Sequence, residues 1–386
     1  MAKKDASLAP KMPSAMMIRL SPLAGIVMFT FLLSGLAFCL WAMFVTGSVK
    51  LLPEKVTWED IREGEITHYI ARELSVVPFA KRAADFERAA SWLVIGDTGP
   101  RVRQGCPGWL FLADEMKIHA QAESNAAARV AKVKAIQTWL AARDIRLLVA
   151  VVPDKSRIAD KQLCSLERAE QLAERAMRWQ ARLQAEGVQV LDLTPVLQPL
   201  GSNAFLRTDT HWSEAGAQAA AQAVAAGVTE MGVTATPSRS WQRSQQEAVV
   251  RPGDLVRLAG LDWLPEFLQP AVESVAASTF IAAEDQSESM SEDDLFGDSQ
   301  LPNVALIGTS FSRNSNFVPF LEQALHANLG NFAKDGGEFS GAAKDYFVSP
   351  AFTQTPPQLV IWEIPERDLQ TPFADWDTPD KAGSGP

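Results

Sequence analysis

The longest apolar run of the chain lies close to its N-terminus. Residues 24–45 carry no charge, and the residues before them hold four basic side chains against one acidic side chain. At about 1.5 Å per residue, a helix over this run would be roughly 30 Å long, the thickness of a bilayer core. Because basic flanks stay in the cytoplasm, the pattern predicts a membrane anchor with everything after Gly47 outside. A cleaved signal peptide is the competing interpretation, but the run is long for one and no small-x-small site follows it.

Further along the chain, the hydrophobic pattern alternates between helix and strand. The runs 145–152 and 188–193 are too apolar to be half exposed, as expected for strands of a parallel sheet that is covered on both faces. Each follows an amphipathic pattern, over 124–143 and 166–186, that predicts a helix. This order of helix and strand predicts a parallel sheet with right-handed crossovers.

Shorter patterns complete the expected fold. The stretch 283–298 holds seven acidic residues among serines without the spacing of a calcium loop, and is expected to be a mobile loop. The remaining expected elements are strands over 91–96, 107–112, 303–307 and 358–367, and helices over 213–230, 253–261 and 316–329.

These patterns divide the chain into five segments and place it in the α/β class. We expect a cytoplasmic basic segment (1–21), a transmembrane anchor (22–46), a charged and partly helical stem (47–90), one α/β domain (91–376) and a polar tail (377–386). The domain should contain a central, mostly parallel sheet, preceded in the chain by a single transmembrane helix.

Composition narrows the functions open to this domain. The 386 residues carry a formal net charge of −10, whereas binding to nucleic acid requires a basic face. No zinc-site spacing and no glycine-rich phosphate loop is present, so we expect no bound metal and no cofactor. Of the three cysteines, Cys39 lies in the anchor, while Cys106 and Cys164 are either a disulfide or two buried thiols.

The candidate chemistry lies in an Asp-Thr-His sequence and a distant serine. Asp209 and His211 are two apart, so on extended backbone both side chains point the same way and the carboxylate can accept the Nδ1–H of the imidazole. His211 is the only one of four histidines with an acid at this spacing and an aromatic neighbour. Ser310 follows the predicted strand 303–307, where α/β sheets present nucleophiles. We therefore predict an acyl-transfer triad, against the alternative of a merely structural hydrogen bond.

A tetrahedral oxyanion formed on the nucleophile would need hydrogen-bond donors already in place. The backbone N–H of Ser310 is one candidate, and the side chains of Arg313, Asn314 and Asn316 are others. Ser312 is a rival nucleophile, ranked below Ser310 because it lies further past the end of the strand.

Two cations follow predicted strands at the same edge of the sheet. Lys155 could contact substrate or pair with Asp154, and the ion pair is the favoured interpretation. Arg367 could orient a uronate carboxylate or pair with Glu363 or Glu366, and the structural role is again slightly favoured.

Taken in order, five segments resemble one family over roughly residues 90 to 370. Together they are similar to the SGNH-hydrolase-like O-acetyltransferases of the alginate AlgJ/AlgX type, whose members place the Asp-His pair before the serine. The resemblance implies an SGNH-like three-layer domain that acetylates an exopolysaccharide in the periplasm, with an N-terminal inner-membrane anchor as in the AlgJ-like branch. No carbohydrate-binding module of the AlgX kind is evident after residue 376. The five segments are 108–111, 152–155, 209–212, 308–310 and 362–367.

The resemblance and the topology together imply a reaction and a partner. Acetyl would pass through an acetyl-serine at Ser310 to a sugar hydroxyl of alginate or of another glycan. Acetyl-CoA does not cross the membrane and one anchor helix cannot carry acetyl through it, so a membrane-bound O-acyltransferase is the implied donor. Two alternatives remain open: a secreted carbohydrate acetyl-esterase with the same triad, and a non-catalytic glycan-binding scaffold subunit.

Overall fold

The computed structural model describes most of the chain, in two compact units. The first unit ends at Glu87 and the second begins at Arg88, close to the expected boundary between stem and domain. The acidic stretch 283–298, the tail 377–386 and nearly all of the basic segment lie outside the described residues. The described residues are 21–45, 50, 52–53, 56–75, 77–282 and 301–376.

Four helices are described before the first strand of the chain. The first, α1, is a 23-residue helix without charge, and it is the one helix of the described residues that is long and apolar enough to cross a membrane. A capping box formed by Thr57 and Asp60 starts α2, and Gly64 ends it with a positive φ. The bounds are α1 Pro22–Phe44, α2 Trp58–Glu63, α3 Glu65–Ser75 and α4 Pro78–Ile95.

The strand predicted over 91–96 is wrong, because these residues form the last turns of α4. Gly96 has a φ of +71° and its N–H donates to the carbonyl of Trp92, which is how helices commonly end. A short apolar run fits a strand or a buried helix equally well, and here the alanine-rich residues before it extend the helical pattern.

The second unit is built on a five-stranded, fully parallel sheet. Its order is β10-β9-β11-β3-β4, so the last long strand of the chain lies at the centre. The predicted α/β class with a central parallel sheet is confirmed. The strands are β3 Arg146–Val152, β4 Gln189–Asp192, β9 Val304–Ile307, β10 Gly330–Asn331 and β11 Leu359–Pro365.

Side chains of the central strands alternate between two cores, which makes the unit three layers thick. In β3, Leu148, Ala150 and Val152 pack on one face, and the residues between them pack on the other. The first face is covered by α9 (Glu214–Glu230) and α11 (Phe317–Leu325). The second is covered by α5 Ala122–Ala141, α7 Arg175–Ala185, α12 Gly341–Phe347 and α13 Pro350–Thr353.

Small elements surround this framework. Three antiparallel pairs join β1 to β2, β5 to β8 and β6 to β7. The short helices are α6 Lys155–Ile158, α8 Thr194–Leu197 and α10 Asp254–Leu258, and the paired strands are β1 Val102–Gln104, β2 Leu110–Leu112, β5 Trp241–Gln245, β6 Val249–Arg251, β7 Glu273–Val275 and β8 Ser278–Ala282.

The helix predicted from residue 166 begins later, at Arg175. The residues before it are irregular, because Cys164 has a φ of +54° and forms a disulfide with Cys106. Arg168 also reaches inward from this segment to the carboxylates of Asp154 and Glu366. Tertiary contacts therefore override the helical pattern over 166–174.

Candidate active site

The Asp209–His211 pair lies in a series of bends between residue 207 and α9, rather than on the extended backbone predicted from sequence. The bend lets one carboxylate oxygen of Asp209 accept twice from His211, from the backbone N–H at 3.0 Å and from the ring Nδ1 at 2.6 Å. Burial alone would raise the pKa of Asp209, but the hydrogen bond and the charge of the ring hold that pKa far below its usual range. Because Nδ1 donates to a carboxylate, Nε2 is left as the acceptor.

Ser310 meets this acceptor from the other side of the cleft. It is the first residue of a 3₁₀ turn that follows β9, and its Oγ lies 2.8 Å from Nε2 of His211 although 99 residues separate the two in sequence. The ring of His211 is supported edge-on by Phe311, with ring centroids 5.3 Å apart. The three predicted side chains therefore form one continuous hydrogen-bonded series.

Ser312 does not compete for the same histidine. It is fully buried, and its hydroxyl donates to Glu363 at 3.1 Å. Glu363 also accepts from the backbone N–H of Thr309 at 2.6 Å and from the Thr309 hydroxyl. A Cβ on Gly308 would lie 2.5 Å from the Glu363 carboxylate, so only glycine leaves room for this contact.

A second carboxylate, Asp254, flanks the imidazole and was not predicted from sequence. Its oxygens accept from the backbone N–H of Thr210 at 2.7 Å and from the Thr210 hydroxyl, and one of them lies 3.6 Å from Nδ1 of His211. The backbone N–H of Asp254 donates to the outer oxygen of Asp209. Asp209, His211 and Asp254 could together surround a metal ion, but hydrogen bonds within the chain already satisfy all three.

Two of the three proposed oxyanion side chains face away from Ser310. Asn316, which has a positive φ, donates instead to Glu214 at 2.6 Å and to the carbonyl of Ser278 at 2.7 Å. Arg313 is exposed and pairs with Asp335.

Asn314 is the oxyanion candidate that remains beside the nucleophile. Its amide donates to the carbonyl of Ser310 at 2.8 Å, and its carbonyl accepts from Arg251 at 3.1 Å. Asn314 and Arg251 line the same cavity as Ser310 and His211.

Lys155 does not pair with Asp154, so the favoured interpretation from sequence is wrong, and it lines neither of the two cavities that include Ser310. It is fully buried, and its ammonium group donates to the carbonyls of Leu110, Arg207 and Asp209. Burial lowers the pKa of Lys155 to about 8. The lysine thus fastens β2 and the Asp209 bend to the end of β3.

The charged groups that were expected to hold Lys155 and Arg367 are engaged elsewhere. Asp154 pairs with Arg168 and Arg175, and Glu366 accepts from both and from Arg157. Burial would raise the pKa of Glu366, but hydrogen bonding and charge from these arginines lower it to about 2.

Arg367 instead lies over the ring of Phe311 at 5.1 Å and makes no ion pair within the described part of the chain. Two cavities, of about 380 and 630 Å³, meet beside it, and both include Ser310 and Gly336 in their walls. The larger contains His211, Arg251, Asp254 and Arg257, and the smaller contains Lys117 and His119. Ser310 can therefore be reached from two directions.

Known proteins are similar to this chain in sequence and in fold. Residues 102–366 match the family model described as the SGNH hydrolase-like domain of the acetyltransferase AlgX. The probable alginate O-acetylase AlgJ of Pseudomonas aeruginosa is 34% identical over 80% of this chain and 82% of its own length, and that of Azotobacter vinelandii is 33% identical over 78% and 79%. The chain belongs to this family.

Solved structures agree with the assignment to the AlgX-type SGNH-like family. The O-acetyltransferase domain of Pseudomonas putida AlgJ is 29% identical and superposes with a TM-score of 0.63 over 74% of this chain and 98% of that domain. Pseudomonas aeruginosa AlgX, at 22% identity and a TM-score of 0.52, shares the fold over 73% of this chain and 64% of its own. The three-layer SGNH-like fold predicted from sequence is thereby confirmed.

Within the AlgX-type domain, two functional residues were not predicted from sequence, Asp254 and Glu363. Their carboxylates accept hydrogen bonds from Thr210 and Thr309, the neighbours of His211 and Ser310. Asp254 belongs to a region where the hydrophobic pattern is irregular, 45 residues from Asp209, so spacing gave no signal. Glu363 was considered only as a partner for Arg367. An acid in the otherwise apolar run 359–364 was the available signal, because a buried carboxylate requires donors nearby.

Proposed function

We propose that this protein is a membrane-anchored O-acetyltransferase that moves acetyl through Ser310 to hydroxyl groups of an exopolysaccharide. The observation that carries the proposal is the series Asp209–His211–Ser310, with contacts of 2.6 and 2.8 Å, in a chain of the AlgX-type family. The alginate O-acetylases named among its relatives support an acceptor of the alginate type.

In the first half-reaction, His211 Nε2 takes the proton of Ser310 while Oγ attacks the acetyl carbonyl. Asp209, whose pKa is kept low, stays ionised and stabilises the imidazolium that forms. The tetrahedral oxyanion would be met by the backbone N–H of Ser310, which opens the 3₁₀ turn and so has no partner within it. The second N–H of the Asn314 amide is the proposed further donor. Collapse of the oxyanion expels the donor oxygen, which takes the proton back from His211.

In the second half-reaction, a sugar hydroxyl gives its proton to Nε2 and attacks the acetyl-serine. Collapse of the second oxyanion breaks the bond between Ser310 Oγ and the acetyl group, and His211 returns the proton to Oγ. The attacking oxygen must occupy the position that the leaving oxygen vacated, since one histidine serves both steps. The larger cavity contains His211, so we assign both the donor and the acceptor oxygen to it in turn. Arg367, exposed to both cavities and without an ion pair in the described residues, is assigned to a carboxylate of a uronate acceptor.

Topology supports the rest of the proposal. With α1 across the inner membrane and the basic residues inside, the SGNH-like unit faces the periplasm. No cofactor is required, because the acetyl group arrives already activated. The proposed donor partner is a membrane-bound O-acyltransferase that brings acetyl across the bilayer.

The test uses the full chain in detergent with an activated acetyl ester, with and without an oligouronate. We expect mass spectrometry to find acetyl on Ser310 and then on the glycan. Ser310→Ala should abolish both signals, whereas Ser312→Ala, which removes one of the hydroxyls bound to Glu363 but keeps the nucleophile, should weaken them without abolishing them. Acetate released with no acetyl on the glycan would favour an esterase. Unchanged polymer acetylation in cells carrying Ser310→Ala would favour a scaffold subunit and overturn the proposal.

A further inference from the structure

The start of α4 packs against the last turns of the anchor helix within the first unit. The rings of Phe79 and Phe38 are stacked, with centroids 4.5 Å apart and planes 9° from parallel. A Cβ on Gly35, one turn further back in α1, would lie 4.0 Å from the Phe79 ring. Phe79 is thus level with the stretch of α1 between Gly35 and Phe38.

The position of this contact along α1 sets its depth. α1 ends at Phe44, so Phe38 lies about 9 Å and Gly35 about 14 Å from the end of the helix. The 23 residues of α1 are about 34 Å long, which exceeds a hydrocarbon core of about 30 Å by only about 4 Å. Even if the whole excess of about 4 Å extended out of the hydrocarbon at the Phe44 end of the helix, Phe38 would remain about 5 Å inside it. The ring stacked on it cannot then be in water.

The residues around Phe79 fit such an environment. No charged residue occurs between Leu74 and Ala80, and we call the described residues of this stretch, 74–75 and 77–80, the elbow. Val77 of the elbow and Ala42 of α1 are buried against each other, and the apolar side chains around them complete the cluster. The additional members are Met43, Leu74, Phe79 and Ala80.

The helix that leads into the elbow has the pattern of an interfacial helix. In α3, Ile66, Ile70 and Leu74 follow one another at intervals of four and form one face, and Leu74 joins the elbow cluster. Glu65 and Arg72 are exposed to solvent on the same helix. An apolar face continuous with a membrane-spanning helix, and polar side chains opposite, are what a helix lying in the bilayer surface requires.

We propose that the elbow inserts into the lipid bilayer beside α1, on the side from which the chain leaves the membrane. The surface is formed by Leu74, Phe79 and Ala80, with Val77 buried behind it against Ala42, and its partner is lipid. The inference rests on the proposed membrane anchor. It makes the stem a second attachment to the bilayer, eight residues before Arg88, where the second unit begins.

The experiment measures lipid exposure of single spin labels on the full chain in lipid nanodiscs. Cys39→Ala removes the free thiol, and Cys106 and Cys164 are joined in a disulfide, so one introduced cysteine takes the label. Labels replace Phe79 and, as a second position less sensitive to packing, Ala80. Phe38 provides the lipid reference, and Glu230, exposed at the end of α9, provides the water reference.

We expect the ratio of oxygen to nickel-chelate accessibility at positions 79 and 80 to approach that at 38 and to exceed that at 230 several-fold. A lipid-like ratio at 38 with water-like ratios at both 79 and 80 would overturn the elbow insertion and leave the anchor intact. A water-like ratio at 38 would overturn the anchor itself and the inference with it. None of these readings depends on acetyl transfer, so failure of the proposed activity would be seen separately.

Discussion

Two carboxylates flank the imidazole of His211, and their surroundings make them unequal. Asp209 contacts Nδ1 directly, and this contact lowers its pKa. Asp254 contacts the ring through Thr210, and burial together with repulsion from Asp209 raises its pKa. Asp209 therefore carries the charge that the imidazolium needs, while Asp254 fixes the backbone on which the ring is mounted. We assign Asp254 to positioning rather than to catalysis.

Substitutions of Asp254 test this assignment at the level of one residue. Asp254→Asn keeps an acceptor for the Thr210 N–H but loses a negative charge 3.6 Å from Nδ1, and we expect kcat for acetyl transfer to fall about tenfold with little change in KM. Asp254→Ala also removes the acceptor for the Thr210 N–H, and we expect it to lower kcat about a hundredfold.

Asp144→Asn is the matched control for these variants, because Asp144 precedes β3 at the opposite edge of the sheet and Asn also tolerates its positive φ. Equal kcat values for Asp254→Ala, Asp144→Asn and the unaltered chain would refute the positioning role.

The residues that sequence could predict are those whose partners are close in sequence or at a strand end. Asp209 and His211 are two apart, and Ser310 follows a strand whose pattern is clear. Lys155 was misinterpreted, because its three acceptors are backbone carbonyls from distant segments and no sequence pattern marks a carbonyl. Long-range contacts of this kind are visible only in the folded chain.

At the scale of elements, the nucleophile turn is held by the neighbouring parallel strand. Ile307 at the end of β9 pairs with Trp362 of β11. The residues that follow them, Gly308 and Glu363, therefore lie beside each other. Trp362 and Ile364 point into one core, and alternation directs Glu363 to the opposite face, toward the turn. The register of two strands therefore brings a carboxylate to Thr309 and Ser312.

Removal of this carboxylate should loosen the turn. In Glu363→Ala, three buried donors lose their acceptor: the Thr309 N–H and the hydroxyls of Thr309 and Ser312. Each unsatisfied group should lower the free energy of unfolding by about 1–3 kcal/mol. We expect a lower melting temperature and at least a tenfold loss in the rate of Ser310 acetylation, measured by mass spectrometry. Because burial raises the pKa of Glu363, the neutral isostere in Glu363→Gln should be tolerated far better. Similar losses in both variants would show that the charge, and not the acceptor, holds the turn.

Elements with strict periodicity were predicted more accurately than those without it. The central strands β3 and β11 and the helix capped by Ser213 follow the sequence closely, because burial on both faces or on one stripe leaves a clear pattern. The end of α4 was mistaken for a strand because the four apolar residues 92–95 fit a helix and a strand equally well. The antiparallel pairs β5–β8 and β6–β7 were missed, since their strands are short and largely exposed.

At the scale of the whole molecule, stability should depend on pH through carboxyl groups shifted in opposite directions. Glu366 has a lowered pKa of about 2, so its contribution is present above its unfolded pKa of about 4.5 and is lost as pH falls toward 2. Glu115 and Asp368 behave in the opposite way, because burial raises their pKa values to about 7 and about 6. Their contribution is complete below their unfolded pKa values and is lost as pH rises through the folded ones. We therefore expect maximum stability near pH 4 to 5 from these groups.

Glu115→Gln isolates one of these opposing contributions. Glu115 is fully buried, and one of its oxygens accepts from the Ser156 N–H at 2.8 Å, a contact that glutamine can keep. In the unaltered chain, Glu115 ionises between pH 5 and 8, and each unit by which folding raises its pKa lowers the free energy of unfolding by up to about 1.4 kcal/mol over this range. Glutamine does not ionise, so the variant does not lose this stability. The difference in unfolding free energy between the two should therefore grow in favour of the variant, by about 3 kcal/mol at most, across this range. Denaturant titrations at pH 5 and 8 would measure it, and a difference that is constant with pH would contradict the raised pKa.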